Sequence, residues 1–522
     1  MLAVAVPQTL VQLWHVAQAC VAAEAVIIMQ VANTGLTGGS TPDGDDYGRD
    51  VVIVSTRVLD AIHLLDGGRQ VLCLPGATLY GLEQRLRPLG REPHSVIGSS
   101  CFGASVVGGI CNNSGGALIR RGPAFTELAL FARRDADGVL RLINHLGVEL
   151  SGAPEDMLAR LEAGHFSEAD VAYGTGSASD GDYDRHVRAV DADAPARFNA
   201  DPRRLHEASG SAGHLIVFAV RLDSFPIETD TRTFYIGTND PAELSRIRRH
   251  MLTQFDALPI SAEYLHRDAF DLADSHGKDS FLAIRLFGTT RLPMLARLQD
   301  RVNRIARGLG LGGSLAERFL YRFARILPDH LPSRMRTWRG RYDHHLILKV
   351  SGDQVERTTA FLDKVFPSAT GDVFVCTEDE AAKAFLHRFV AAGAAVRYRL
   401  LNPGTVADIV ALDIALPRNA TDWTENLPVE IDTQILRKIY YGHFFCHVFH
   451  QDYVVRKGVD PVALEHAMWA LLDRRGARYP AEHNVGHLYP AAPELAAHYR
   501  ALDPCNSFNP GIGQTSKKAG WM

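Results

Sequence analysis

Two groups of residues in this 522-residue chain have types and spacing suited to chemistry. The first is glycine set among small polar residues. Val31-Ala-Asn-Thr-Gly-Leu-Thr-Gly-Gly-Ser40 follows an apolar run, and the stretch from Gly98 to Gly116 holds six glycines in nineteen residues. Glycine lets backbone N–H groups turn toward an anion with no Cβ in the way, and Ser, Thr and Asn add donors. Two such loops predict a ligand with two phosphates, against the plainer reading of tight turns. Neither matches G-x-G-x-x-G or G-x-x-x-x-G-K-[ST], which disfavours a Rossmann dinucleotide site and a P-loop. The second group is His443, His447 and His450 within an aromatic run, followed by Glu482, His483 and His487. Imidazoles with a carboxylate suit a zinc-like divalent ion, and two His plus one Glu leave a position for substrate. Histidines satisfied by hydrogen bonds in an aromatic strand are the alternative.

The elements that must position these residues are legible in outline. Residues 1–150 alternate β-rich runs (Ala25–Gln30, Asp50–Ser55, Arg69–Leu74) with glycine turns and a helical pattern over Thr9–Ala23, which predicts an α/β unit. The middle of 151–210, polar and rich in Asp and Gly, predicts a surface excursion. The chain returns through a buried strand over His214–Arg221, and Asp223-Ser-Phe-Pro226 has the composition of a domain exit. A second α+β stretch opens at His345–Val350 and runs to about residue 475.

Composition narrows the class. With 46% hydrophobic residues, 22% charged and a net charge of −5, intrinsic disorder is excluded. The seven cysteines (Cys20, Cys73, Cys101, Cys111, Cys376, Cys446, Cys505) are scattered and never form C-x-x-C, so neither a disulfide framework nor a thiolate zinc site is expected, and a reducing cytoplasm fits. No secretion signal is evident, and no apolar run reaches the roughly 18 residues of a spanning helix. Between Arg297 and Arg341 stand eleven Arg, no Lys and three acids, a local net of +8. At helical spacing Arg318, Arg322 and Arg325 share one face and Phe319, Phe323 and Ile326 the next, while Arg297, Arg301 and Arg304 repeat the basic spacing. Arginine-rich helices can bind nucleic acid; the adjoining apolar stripe favours an anionic lipid surface and no nucleic acid.

The 31–40 loop, Pro75-Gly-Ala-Thr78, the 98–116 run, the strand at 214–221 and Asp503-Pro-Cys-Asn-Ser-Phe-Asn-Pro-Gly-Ile-Gly513 together resemble the FAD-binding flavoenzymes of the vanillyl-alcohol-oxidase, or PCMH, type. Within that group Arg91–Ser100, Gly109–Gly116, Tyr479–Tyr489 and the arginine-rich insert are similar to the quinone-dependent D-lactate dehydrogenases. The likeness covers nearly the whole chain, and begins close to the first flavin-domain strand without the N-terminal segment that members usually carry.

The resemblance implies an α+β fold: a two-part FAD domain (1–223 and 476–522), a cap in two parts (224–296 and 342–475) and a basic helical membrane-contact insert (297–341). It implies oxidation of D-lactate, with electrons passing through FAD to a membrane quinone, by a peripheral protein on the cytoplasmic face of the inner membrane. Val31, Ala32, Asn33, Thr34, Gly35, Gly39 and Ser40 then border the pyrophosphate, Gly98, Ser105 and Gly115 the flavin and ribityl chain, and Val217 gives a backbone contact. The 31–40 loop holds no His or Cys, so a dissociable FAD is expected, with Cys101 and Cys111 read as small buried cysteines. His443, His450 and Glu482 become ligands of a divalent metal such as zinc, although the intervening Phe444–Phe449 departs from the acidic-Gly-Asn turn of related 2-hydroxyacid dehydrogenases. His483 becomes the base for the hydroxyl proton and Arg388 the fork for the substrate carboxylate, with Arg397 and Arg399 as substitutes. Another D-2-hydroxy acid, 2-hydroxyglutarate or glycolate, is the nearest alternative. A flavin-free metallohydrolase built on the His/Glu cluster is the rival from another class.

Overall fold

Thr9 accepts a hydrogen bond from the Gln12 amide (3.1 Å) and so starts a helix, Leu10–Ala22, whose Leu10, Leu13, Trp14, Ala17 and Cys20 all face inward. In this computed structural model, which describes residues 3–95, 103–287 and 315–522, that helix lies beside a parallel three-stranded sheet in the order Ala3–Ala5, Val51–Ser55, Val26–Gln30. Gly98, Cys101, Arg297, Arg301 and Arg304 lie outside the described residues, as do the side chains of Phe319 and Arg325. An antiparallel sheet of five strands follows, ordered Ile62–Leu65, Gln70–Cys73, Ile216–Asp223, Ala129–Arg134, Leu140–Asn144. Its central strand is the predicted return strand, shifted two residues along.

The C-terminal half is organised by an antiparallel sheet of seven strands in the order Gly371–Val375, Thr231–Thr238, His344–Ser351, Ser261–His266, Ile435–His443, Val448–Arg456, Val406–Ala415. Side chains alternate between its faces. One face, with Ala262, Tyr264, Leu346, Ile414 and Tyr453, packs on the helices Pro241–Gln254, Gln354–Val365 and Pro461–Arg474. The other, with Leu265, Ile347, Ile439, Tyr441 and Val454, lies under Arg267–His276 and the 24-residue helix Glu378–Leu401. A capping box between Thr377 and Glu380 starts the long helix.

Three histidines are buried in that second layer: His345 on the sheet, His387 on the long helix and His330 against Phe281. Burial pushes His345 and His387 down to about 3 and His330 down to about 4. All three stay neutral while the unfolded chain begins to bind protons near pH 6.5, so stability is lost as pH falls below that value. Each group costs about 1.4 kcal/mol per pH unit, or roughly 2 kcal/mol between pH 6.5 and 5. Thermal melts should therefore show the midpoint dropping steeply over this interval, and His345→Leu with His387→Leu should flatten the drop. A midpoint independent of pH from 7 to 5 contradicts the reading.

The arginine-rich segment is not uniformly a free basic surface, and the expectation is corrected in its second half. In the helix Ser333–Arg341, Arg334 pairs with Glu380, Arg336 with Asp274 and Asp329, Arg339 with Asp271 and Arg341 with Asp372. Acids from flanking elements neutralise these four. The helix Leu315–Ile326 differs: Arg318 and Arg322 are exposed, and Ile326 is 82% exposed.

Candidate active site

The hairpin between Ile435–His443 and Val448–Arg456 turns through Phe444–Cys446 and His447, whose backbone is left-handed at φ 53°. The aromatic turn thus replaces the acidic-Gly-Asn sequence without separating the two histidines. In this register His450 stands opposite Tyr441, so His443 and His450 are diagonal neighbours on one face, with ring centroids 5.3 Å apart. His447 leaves the group: its Nδ1 lies 3.0 Å from the Pro417 carbonyl oxygen. His487 lies 2.9 Å from the Thr41 carbonyl oxygen.

Neighbouring strands add carboxylates to the same face. Glu263, opposite His443, has Oε1 2.7 Å from His443 Nδ1, and Asp413, opposite His450, has Oδ1 3.3 Å from His450 Nδ1. Glu482 enters from the C-terminal segment, with Oε2 3.3 Å from His443 Nε2. Ligand atoms of His443, His450 and Glu482 all lie within 4.8 Å of one another. Each imidazole therefore has Nδ1 beside a carboxylate, the arrangement that orients a metal-ligating histidine.

The charges are strongly coupled. Burial opposes ionisation of Glu482, yet Arg197 and His443 hold it down to about 2. Burial likewise disfavours the charged form of His443, but Glu263 and Glu482 outweigh it and lift His443 to about 9. His483 and His450 hold Asp413 well below the usual carboxylate range against its burial. Asp452, under Tyr441, is raised to about 6 by burial. Four carboxylates thus face two guanidiniums, Arg197 and Arg388, and a divalent cation would balance the set.

His483 faces the cavity with its side chain 41% exposed and its ring stacked on His450 at 5.3 Å. Its backbone is fixed at both ends, because Asp413 Oδ2 accepts the Glu482 and His483 amides at 2.7 Å and Asn199 donates to its carbonyl. Arg388 reaches in from the long helix, 3.1 Å from Glu263 Oε2 and 4.3 Å over the Tyr441 ring, and its Nε has no hydrogen-bond partner among the described residues. Arg397 and Arg399 pair with Asp279 and Asp408.

A single cavity of about 2170 Å³ joins this cluster to the glycine loops. Val31, Ala32, Asn33, Thr34, Gly35, Gly39, Ser40, Ser105, Gly115 and Val217 all border it. Ordinary small-molecule pockets measure roughly 300–1,000 Å³, so there is room for a dinucleotide and more. A Cβ on Gly39 would collide with the Asn484 amide, and one on Gly115 would fall on the Glu482 carboxylate. Gly115 therefore makes room for a cluster residue as well as bordering the cavity. Asn509 ties the walls together, donating to the carbonyls of Gly39 (2.9 Å) and Ala212 (2.7 Å).

The family described as "D-lactate dehydrogenase, membrane binding" matches residues 233–521. An Escherichia coli protein named quinone-dependent D-lactate dehydrogenase is 55% identical over 522 residues, covering 100% of this chain and 91% of that protein. The chain belongs to the quinone-dependent D-lactate dehydrogenases. Members from Haemophilus influenzae (53% identical, 100% of this chain and 93% of that protein) and Corynebacterium glutamicum (45%, 99% and 91%) carry the same name. In fold, the chain is similar to p-cresol methylhydroxylase (TM-score 0.58, 14% identity, covering 98% of this chain and 88% of that one). It is also similar to 4-ethylphenol oxidase from Gulosibacter chungangensis (0.56, 12%, 98% and 88%). The expected PCMH-type fold and family are both present.

The sequence reading missed Glu263, Asp413, Asp452 and Arg197. A lone acid inside the apolar run Val410-Ala-Leu-Asp-Ile-Ala-Leu416 was the one available signal for Asp413. Arg197, buried at 2% exposure, donates to the carbonyls of Gly116 and Leu118 and pairs with Glu482, a role its polar sequence context gives no hint of.

Proposed function

We propose that the chain oxidises D-lactate to pyruvate with His483 as base, the carboxylate held beside Arg388, and electrons leaving through FAD to a membrane quinone. The observation that carries this reading is the one cavity shared by the glycine loops and the His/Glu cluster. Val31–Gly35, Gly39, Ser40, Ser105, Gly115 and Val217, which border the cavity, would hold FAD, whose isoalloxazine would supply the acceptor for the C2 hydride and the relay of its two electrons to the quinone. The 31–40 loop offers no tether, and burial pushes the Cys111 thiol up to about 11, which leaves little thiolate to attack a flavin. These features support a dissociable FAD.

His443, His450 and Glu482 would hold a divalent metal such as zinc, which lowers the pKa of a nearby hydroxyl. Glu263 and Asp413 orient the two imidazoles, and Asp413 also fixes the backbone that carries His483. Arg388 borders the cavity and would present its guanidinium to the substrate carboxylate, and its pairing with Glu263 keeps the fork from swinging away. An anaerobic absorbance spectrum tests the whole: flavin absorbance should bleach with D-lactate and not with L-lactate. Protein that stays colourless after incubation with FAD contradicts it and favours a metallohydrolase.

Membrane contact is peripheral in this reading, since no helix among the described residues is long and apolar enough to span. The exposed Arg318 and Arg322, beside Ile326, suit an anionic lipid surface. The free cysteines among the described residues agree with the cytoplasmic face. At about 1 kcal/mol per basic residue, Arg318→Glu with Arg322→Glu should weaken binding to phosphatidylglycerol vesicles by at least about 30-fold. Vesicle sedimentation in low salt measures this, and unchanged binding removes the insert from the interface.

A further inference from the structure

The cavity does not end at the His/Glu cluster. Beyond Arg388 it continues between three helices, Lys278–Phe287, Leu315–Ile326 and Glu378–Leu401, where it is bordered by Ala283, Ile284, Leu320, Phe389, Gly393 and Val396. On the long helix Phe385, Phe389, Ala392, Gly393 and Val396 recur at helical spacing; the two phenylalanines are half-buried, and the outer part is not covered by the described residues, with Val396 52% exposed and nothing within 4 Å of a Cβ on Gly393. The far side of the trough is formed by the helix that carries exposed Arg318 and Arg322, with Leu286 of the neighbouring helix 72% exposed. An apolar passage thus runs from the surface suited to lipid headgroups to the cavity that holds the glycine loops.

We propose that this trough is the binding site for the hydrophobic tail of the quinone, with the ring directed inward past Phe389 toward Arg388. The assignment rests on the functional reading above, which requires a lipid-soluble acceptor to reach the same cavity as D-lactate. Three observations select such an occupant. The trough is continuous with the reaction cavity, so the ring can reach it without crossing the sheet. Ile284, Leu320, Phe385 and Phe389 give it aliphatic and aromatic walls suited to an isoprenoid chain, and the charged groups that also border it are paired with one another, Arg397 with Asp279 and Arg399 with Asp408. Small residues stand where a bulkier side chain would close it: Gly393 and Ala392 on one wall, Ala283 on the other.

Gly393→Leu and Ala283→Phe, on opposite walls, test the site in the flavin-loaded protein. Three rates are compared: anaerobic flavin reduction by D-lactate, turnover with a water-soluble dye, and turnover with a quinone bearing a ten-carbon tail or none. The expected result is unchanged flavin reduction and dye turnover, a KM for the ten-carbon quinone raised by about tenfold or more in each variant, and a tail-less quinone affected little. A photoreactive azidoquinone with the same tail should label peptides containing 283–286 or 389–396 in the wild-type protein, and less of both in the variants. The proposal is overturned if neither variant moves the KM for the tailed quinone, if dye and quinone turnover fall together in both, or if label appears elsewhere. Failure of D-lactate to reduce the wild-type flavin would instead refute the functional reading, so the two failures are distinct.

Discussion

Replacing His483 with glutamine is expected to slow anaerobic flavin reduction by D-lactate by about 10²–10⁴-fold, the usual contribution of a positioned base. The protein should otherwise remain intact. The His483 side chain is 41% exposed and packs chiefly on His450, while the loop is held through backbone groups by Asp413 and Asn199. Flavin content and melting midpoint should therefore match wild type, which separates loss of a base from loss of structure. Removing the neighbouring anchor is predicted to act differently. Asp413→Asn weakens the acceptor of two amide hydrogen bonds and unsettles both His450 and His483, so it should cost stability together with rate. If His483→Gln reduces its flavin within tenfold of the wild-type rate, the base is another group, and Asp452, close to His450 on the same strand face and raised to about 6, becomes the first to examine.

How much of this site could be read from the sequence follows from how its parts are brought together. The glycine loops are contiguous in sequence, so the backbone they bring to the cavity wall is a local property, as is the adjacency of Glu482 and His483. His443 and His450 are joined by one hairpin, and the register its turn sets carries them to one face. Glu263, Asp413 and Arg197 come from segments separated by tens to hundreds of residues: strand register brings the two acids beside the histidines, and Arg197 arrives on an irregular segment to pair with Glu482. Isolated acids in apolar strands mark that something is being balanced, but not what. The arginine-rich segment shows the converse limit. Local composition made all of it basic, whereas Asp271, Asp274, Asp372 and Glu380, which neutralise its second half, lie on other elements. Charge on a helix predicts a surface only after its partners are known.

If His443, His450 and Glu482 hold a metal as proposed, removing it is the change with the other large expected effect, and chelation tests it more cleanly than mutation. Glu482→Ala would leave Arg197, buried at 2% exposure, facing an empty space, and an orphaned buried charge of this kind costs about 3–5 kcal/mol by itself. Loss of activity in that variant would say little about a metal. A chelator leaves every side chain in place. D-lactate-driven flavin reduction should then fall by at least about 100-fold, the effect of losing a few kcal/mol of stabilisation at the developing alkoxide, and zinc or manganese should restore it. Proton linkage gives a second, independent signature. Without a cation, His443 is protonated up to about pH 9 because Glu263 and Glu482 flank it. A cation bound at its Nε2 must displace that proton, so metal affinity should fall about tenfold for each pH unit below 9, with about one proton released per ion bound. Calorimetry in buffers of different ionisation enthalpy counts that proton. Full D-lactate activity in protein shown by elemental analysis to lack metal would mean that the cationic His443 itself supplies the positive charge, and that Glu263 and Glu482 are arranged to hold an imidazolium.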